Sequence, residues 1–538
     1  MKDISSTGSF IDFTLENYIY VDKTEYIPKL VKLKRVFISR PRRFGKTLTL
    51  DTIATLFETG VEPYFKGTWI YDKWTEPTYP VFRLSFLNLD NSSMDLFKKQ
   101  LNSKITEFAN KISVKGYVEK TEPEDSILSL LEKLEESRQI VILIDEYDYQ
   151  LTSNINNDEL YKQFQQKIKR IYANIKDKFA IKFLGITGVT RLKDVSIFSV
   201  GSDIRDITNS SAYSQMIGFT RDEIKKFYID YLKSAASYEN NCNVDEVTDT
   251  QIESLLDRLA QNYDGYCFDE DYEKKVFCTW SVNTFLQSVV DKKKVQFGEY
   301  WYDNGGLPSI LANYLQTHKL NALDYIDKDK TINIKVNDFK NPTSLTSINQ
   351  NVLMCQTGYL TLRSPVYSKG FMTLGIPNSE VYNALFSLMA LNIFDDTKLE
   401  NVNEQILAQS NDVDEIIGLF NTVLNTVSYD NYPISSEAVV QQLLYMYLKG
   451  ICNSVTAEQH SSKGRADLVI ESDNRRIVFE FKYAKNETEA KSKLSEAVEQ
   501  IKSRDYGNIL PKKNELLRIA AVFNADPKVR AFTEYHEV

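Results

Sequence analysis

Two groups of residues in this chain have types and spacings that can do chemistry. The first is Val36-Phe37-Ile38-Ser39-Arg40-Pro41-Arg42-Arg43-Phe44-Gly45-Lys46-Thr47. Val36-Phe37-Ile38 reads as a buried strand and Pro41 breaks the run. Gly45-Lys46-Thr47 opens a helix whose residues Leu50, Ile53, Ala54 and Phe57 share one apolar face. Strand, loop, Gly-Lys-Thr and helix is the context of a phosphate-binding loop. Unpaired N–H groups at the helix start, beginning at Gly45, attract the phosphates of ATP. Lys46 reaches the β- and γ-phosphates, and the Thr47 hydroxyl holds Mg²⁺. Five residues before Gly45, where a full loop of this kind has glycine, stands Arg40. Arg40, Arg42 and Arg43 either add positive charge at the phosphates or face another protein or nucleic acid. A strand–helix turn with a chance Gly-Lys-Thr is the plain alternative.

The second group is Asp467 followed, thirteen residues on, by Glu480-x-Lys482. Gly464–Ile470 and Arg476–Lys482 read as two strands of a hairpin turning at Glu471 to Asn474. Carboxylates of Asp467 and Glu480 offer hard oxygen ligands to Mg²⁺ or Mn²⁺. Such a metal activates water and offsets charge on a phosphodiester, while Lys482 orients the water or stabilises the pentavalent phosphate. A helix from Ser435 and Ser436 to about Leu448 precedes the hairpin and carries Glu437, three residues before Val440. That spacing predicts an inward carboxylate, which is costly unless a partner or metal receives it. A helix Glu489–Ile501 follows, with Gln500 as a further candidate, and Leu516–Phe523 reads as the last strand. The alternative is Asp467 at an ordinary turn and Glu480–Lys482 as a solvent-side charge pair.

Between these groups, Ile140-Val141-Ile142-Leu143-Ile144 reads as a central strand ending in Asp145-Glu146. Asp145 there holds the Mg²⁺ shell and Glu146 orients or activates the attacking water. Phe179–Thr187 is a second buried strand, ending in a hydroxyl that can face the γ-phosphate; Thr190 and Arg191 are alternatives. Arg191 and Arg205 can also bring positive charge to the transition state, in cis or across a subunit interface, or be ordinary loop residues.

Repeated helix–strand units predict an α/β fold, with a doubly wound sheet in a P-loop core over residues 1–215. Thr220-Arg221-Asp222-Glu223 is a capping box for a helix through about Leu232, which with Ile252, Leu255, Leu256 and Leu259 predicts a helical lid over 216–330. Residues 331–400 read as a connecting region. Straddling its start, Lys328 to Asn351 looks like a linker or irregular hairpin, and short strands fall at 360–362 and 372–374. Asp395 to Asp414 is a polar approach to a last α/β domain, 401–538.

Composition sets the outer limits. A chain of 538 residues, 42% hydrophobic and 26% charged, is an ordinary globular protein of several domains. No apolar run is long enough to span a membrane, and MKDISSTGSF lacks the apolar core of a secretory leader. Five scattered cysteines without zinc spacing suit a reducing cytoplasm. With three histidines, any metal must rest on carboxylates. A net charge of −9 argues against coating nucleic acid by bulk charge and leaves room for a local basic groove.

Both constellations together resemble a bacterial family with an AAA-ATPase-like domain at the N-terminus and a PD-(D/E)XK nuclease-superfamily domain, restriction-endonuclease-like in fold, at the C-terminus. The matching residues are Tyr20-Val21-Asp22-Lys23-Thr24, Arg40 to Thr47, Ile144 to Asp148, Gly188-Val189-Thr190-Arg191 and Tyr263-Asp264-Gly265-Tyr266. They continue through Gln356-Thr357-Gly358-Tyr359-Leu360, Ile376-Pro377-Asn378, Asp467 to Ile470 and Glu480-Phe481-Lys482. The family pattern carries Arg at the Arg40 position. The resemblance implies an ATP-binding protein fused to a nuclease that acts on nucleic acid, DNA ahead of RNA, in mobile-element or defence biology. It also implies a homo-oligomer through the ATPase domain. Two other readings stay open: a catalytically silent ATP-dependent switch, and an ATPase whose C-terminal domain docks another protein.

Overall fold

Long β-branched runs make the centre of the first sheet. Strands β1 (Arg35–Ser39), β2 (Val81–Ser85), β3 (Ile140–Asp145), β4 (Ile181–Gly188) and β5 (Arg205–Asp206) pair in parallel in the order β2-β3-β4-β1-β5. β1 and β3 are buried along their whole length, as strands covered on both faces must be. Inserting β4 between β1 and β3 puts the ends of three strands side by side, with Ser39 opposite Gly188 and Ile144 opposite Ile186.

The computed structural model describes residues 2–135, 138–176, 178–192, 203–301, 309–315, 318, 325, 328–342, 344–345, 347–367, 370–394, 406–427, 433–451, 455–461, 464–472, 474–508 and 512–538. Two compact units result, Met1–His318 with Asp327–Tyr382, and Asn383–Val538 with Lys319–Ile326. Cys452, part of the approach Asp395 to Asp414 and the boundary expected at 400/401 lie outside the described residues.

In the first unit, helices Arg221–Phe227, Ile229–Asn240, Asp249–Tyr263 and Thr279–Lys292 pack around Leu232, Leu255, Leu259, Phe285 and Leu286. The capping box at Thr220 forms with Glu223, but its helix stops at Phe227, not at Leu232. Tyr228 leaves helical geometry (φ −113°, ψ 21°), buries its ring and donates its hydroxyl to Asn283 at 2.7 Å. The stretch Lys328 to Asn351, expected to be a linker or irregular hairpin, is also structured over its described residues. It contains β6 (Ile332–Lys335) and buries Ile334, Val336 and Phe339. β6 pairs antiparallel with β8 (Phe371–Gly375), which pairs with β7 (Thr361–Leu362).

In the second unit, β9 (Val455–Ser461), β10 (Gly464–Glu471), β11 (Arg475–Ala484), β12 (Glu515–Asn524) and β13 (Ala531–Glu537) form a sheet in the order β13-β12-β11-β10-β9. β10 and β11 are the expected hairpin, and β11 runs parallel to β12. The helix Glu487–Arg504 covers one face through Val478, Ala497, Ile501 and Ala520. Phe420 covers the other, 5.0 Å from Phe479. Two strands beyond the sequence reading, β9 and β13, lie at the sheet's edges, where a polar or half-exposed strand has no clean alternation to show.

Candidate functional site

Gly45 takes a left-handed conformation (φ 100°) and caps the helix Lys46–Thr59, so the chain turns from loop to helix without a Cβ penalty. Lys46 is buried and donates to the loop carbonyls of Arg40 at 2.9 Å and Pro41 at 2.8 Å. The Thr47 hydroxyl donates to Asp145 Oδ2 at 2.6 Å, and Thr187 donates to Asp145 Oδ1. The ends of β3 and β4 and the start of the P-loop helix therefore meet at one carboxylate. Beside it, Glu146 is half-buried at φ 52°, and burial, followed by the charge of Asp145, raises its pKa. A cavity of about 560 Å³ opens over Gly45, Lys46, Thr47 and Glu146. Its far walls are apolar, with Ile19, Tyr26, Ile217 and Phe219 suited to a nucleobase. A hydroxyl paired with a carboxylate is a donor set that fits the Mg²⁺ of a bound nucleotide.

The arginines divide. Arg40 is 1% exposed and points away from this cavity. Its guanidinium donates to the carbonyls of Ser39 at 2.9 Å, Thr208 at 2.6 Å and Tyr213 at 3.4 Å, and lies 4.2 Å from the Phe268 ring centre. It is therefore a brace and neither reaches phosphate nor faces a partner. Arg43 lines the cavity in a positive-φ conformation (72°), with its guanidinium 4.0 Å from the Trp280 ring centre. Its carbonyl accepts from the Thr279 hydroxyl at 2.8 Å. Arg191 ion-pairs with Asp206, and Arg205 is exposed on the edge strand β5.

The second site is built on the hairpin. Asp467 sits within β10, where pairing to β11 ends, and its Oδ2 accepts from the Phe481 N–H at 2.8 Å. Glu480 is 1% exposed, and its Oε2 is buried without a hydrogen-bond partner. Burial, then the charge of Asp467, pushes its pKa up to about 7. Lys482 Nζ donates to Glu480 Oε1 at 2.7 Å and to the Phe481 carbonyl at 3.0 Å. Glu437 is not inward as its spacing predicts. It opens the helix Glu437–Ile451 with its side chain 39% exposed, 3.5 Å from Lys482 Nζ. A first-turn residue has no preceding turn to pack against, so position, not periodicity, sets its direction. Gln500 donates to the Tyr506 hydroxyl at 3.2 Å. Among the described residues no three His, Cys, Asp or Glu side chains already form a metal-binding group. Two carboxylates of the hard-ligand type, one with an unpaired buried oxygen, fit a divalent cation.

Residues 5–198 match the family model described as "Predicted AAA-ATPase", and residues 435–532 match the PD-(D/E)XK nuclease superfamily. The chain joins an AAA-ATPase-like domain to a PD-(D/E)XK nuclease-superfamily domain. An uncharacterized protein from the vnfD 5′ region of Azotobacter chroococcum mcd 1 is 25% identical over 531 residues, 95% of this chain and 94% of that protein. The Walker-type ATPase PABY2304 of Pyrococcus abyssi is similar with a TM-score of 0.37 and 13% identity, over 68% of this chain and 96% of that one.

Other contacts that support the ATPase-like site are not visible in the sequence. Asp148 is buried and accepts from the Thr190 N–H and hydroxyl, both at 2.6 Å, fixing the loop after β4. Lys23 donates to Glu223 at 2.6 Å and ties the N-terminal segment to the helix Arg221–Phe227. The Arg191 N–H donates to Gln356 Oε1 at 3.2 Å. Gly358 (φ 97°) packs where a Cβ would stand 2.9 Å from Pro41. Each works through a partner far away in sequence. Their recurrence in the motifs of the resemblance was the available signal.

Proposed function

We propose that the chain is an ATP-controlled, divalent-metal-dependent nuclease acting on nucleic acid, DNA ahead of RNA. The observation carrying the nuclease half is Glu480: a buried carboxylate with one unpaired oxygen, beside Asp467 and Lys482. Asp467 and Glu480 hold the cation, with the more exposed Glu437 at the rim. Bound there, Mg²⁺ or Mn²⁺ lowers the pKa of water and offsets charge on the scissile phosphate. Lys482, freed from part of its pairing with Glu480, donates to a phosphate oxygen.

At the other site the N–H groups from Gly45 onward and Lys46 bind the ATP phosphates, Thr47 and Asp145 hold the accompanying Mg²⁺, and Thr187 orients Asp145. Glu146, with its raised pKa, is the stronger base for water. Arg43 on Trp280 and Lys23 on Glu223 link this site to the lid helices, so nucleotide occupancy reaches them directly. Arg191 lies near the end of β4, paired with Asp206, and Arg205 is exposed on β5; either supplies charge to the transition state in cis or, in a homo-oligomer, in trans. Among the described residues no helix is long and apolar enough to cross a membrane. A cytoplasmic setting and a place in mobile-element or defence biology complete the reading.

The test is cleavage of plasmid, linear DNA and RNA by pure protein with Mg²⁺ or Mn²⁺. Cutting by wild type that disappears in Asp467→Ala and Glu480→Ala supports the reading; cutting that persists in both overturns it. The ion pair that Lys482 makes with Glu480 favours one second reading, a silent switch that binds without cutting. Nucleic-acid affinity that changes with ATP, without any cleavage, is its signature.

A further inference from the structure

The parallel strands put the nucleotide cavity at one end of the first sheet, and a second cleft lies at the other. Ser39, Asp145 and Thr187 stand at the C-terminal ends of β1, β3 and β4. The second cleft, of about 570 Å³, is walled by Arg35 and Ile181, the first residues of β1 and β4, and by Gln139 just before β3. β4 has 8 residues, so the two sites are separated by about 25 Å of strand.

The cleft is basic in a chain of net charge −9. Lys32, Lys34, Arg35, Lys73, Lys178 and Lys182 line it, and Glu76 is the one carboxylate among the described lining residues. Lys182 is spent on Glu76 at 2.6 Å and Arg35 on Asp203 at 2.9 Å. Lys73 donates to the Trp69 carbonyl at 2.9 Å. Lys32, Lys34 and Lys178 have no acidic partner among the described residues. At the rim stands Phe179, 73% exposed, the most exposed large hydrophobic side chain described. Its carbonyl is held by Gln139 Nε2 at 2.7 Å, which fixes the backbone that presents the ring. Unpaired ammonium groups around a concave surface attract a run of phosphates, and a fixed exposed ring beside them offers a face for stacking. The cleft is too small for a duplex and matches a nucleotide or two of a single strand.

We propose that this cleft binds single-stranded nucleic acid, with backbone phosphates on Lys32, Lys34 and Lys178 and a base stacked on Phe179. The site is separate from the proposed cleavage centre, and its failure leaves that reading untouched.

The test measures anisotropy of labelled single-stranded DNA and RNA oligonucleotides on the full chain carrying Asp467→Asn to silence cutting. In that background Lys32→Gln/Lys34→Gln/Lys178→Gln loses about tenfold or more in affinity at low salt, and its log–log salt slope is shallower by about 2. Phe179→Ala loses about tenfold with an unchanged slope. ATP affinity, read in the same proteins, stays at the parent value and shows that the fold is intact. Equal oligonucleotide affinity in the triple-lysine variant and its parent overturns the proposal, as does a parent that binds neither oligonucleotide. Binding of polyglutamate in place of nucleic acid, lost in the triple variant, also overturns it and assigns the cleft to an acidic protein segment.

Discussion

Restoring the glycine that a full phosphate-binding loop has at position 40 is predicted to damage the protein and leave ATP affinity no better. Arg40→Gly removes a guanidinium that satisfies three buried carbonyls, those of Ser39, Thr208 and Tyr213, and covers the Phe268 face. A hydrogen bond from a charged donor contributes about 1.5–3 kcal/mol, and a desolvated cation–π contact about 2 kcal/mol. Against this stands the cost of burying the charge, visible in the direction in which burial lowers the Arg40 pKa. Unpairing the carbonyls, emptying the side-chain volume and adding glycine's backbone entropy leave a net loss of about 3–5 kcal/mol. For a unit of this size that lowers Tm by about 5 °C. The assay pairs thermal unfolding with fluorescent-ATP titration. Because the side chain faces Thr208 and Tyr213 and not the nucleotide cavity, ATP affinity of the folded fraction stays flat or falls. Tighter ATP binding with unchanged Tm would refute the brace and return Arg40 to the role of a mere departure from the loop pattern.

Other outcomes follow from the same geometry. Thr187→Val removes a donor to Asp145 and is expected to slow ATP hydrolysis about tenfold with ATP binding largely kept, while Thr187→Ser restores the rate. Gly265 has φ +92° and a Cβ there would run into the Pro377 backbone. Gly265→Ala should therefore cost at least about 2 kcal/mol of stability in urea unfolding of the first unit. Glu480, held up at about pKa 7, is neutral below that pH in the metal-free protein, so a cation must displace its proton. Apparent Mn²⁺ affinity should then fall about tenfold between about pH 8 and about pH 6, with proton uptake by the buffer on binding at the lower pH. A flat affinity across that range would place the metal away from Glu480.

What the sequence made legible was chemistry carried by neighbours. Strand, loop and Gly45-Lys46-Thr47 are contiguous, and Asp145 and Thr187 each end an apolar run, so their places at the sheet's edge follow from the strands alone. Asp467 and Glu480-x-Lys482 lie on adjacent hairpin strands for the same reason. Arg40 was not legible, because its partners Thr208 and Tyr213 lie far along the chain and nothing local marks it as buried. Asp148 was hidden similarly: its carboxylate serves backbone N–H groups beyond β4, a contact with no periodic signature. Glu437 shows the limit of periodicity at a helix start, and β9 and β13 its limit at a sheet edge.

The proposed control of cleavage at the second site by nucleotide at the first is read by the single-turnover rate of DNA cleavage with Mg²⁺, with and without ATP, in wild type and in Lys46→Ala. ATP is expected to change the wild-type rate severalfold or more, and Lys46→Ala to cut at one rate whether or not ATP is present. Equal wild-type rates with and without ATP, under conditions where ATP is shown to be bound, would contradict it.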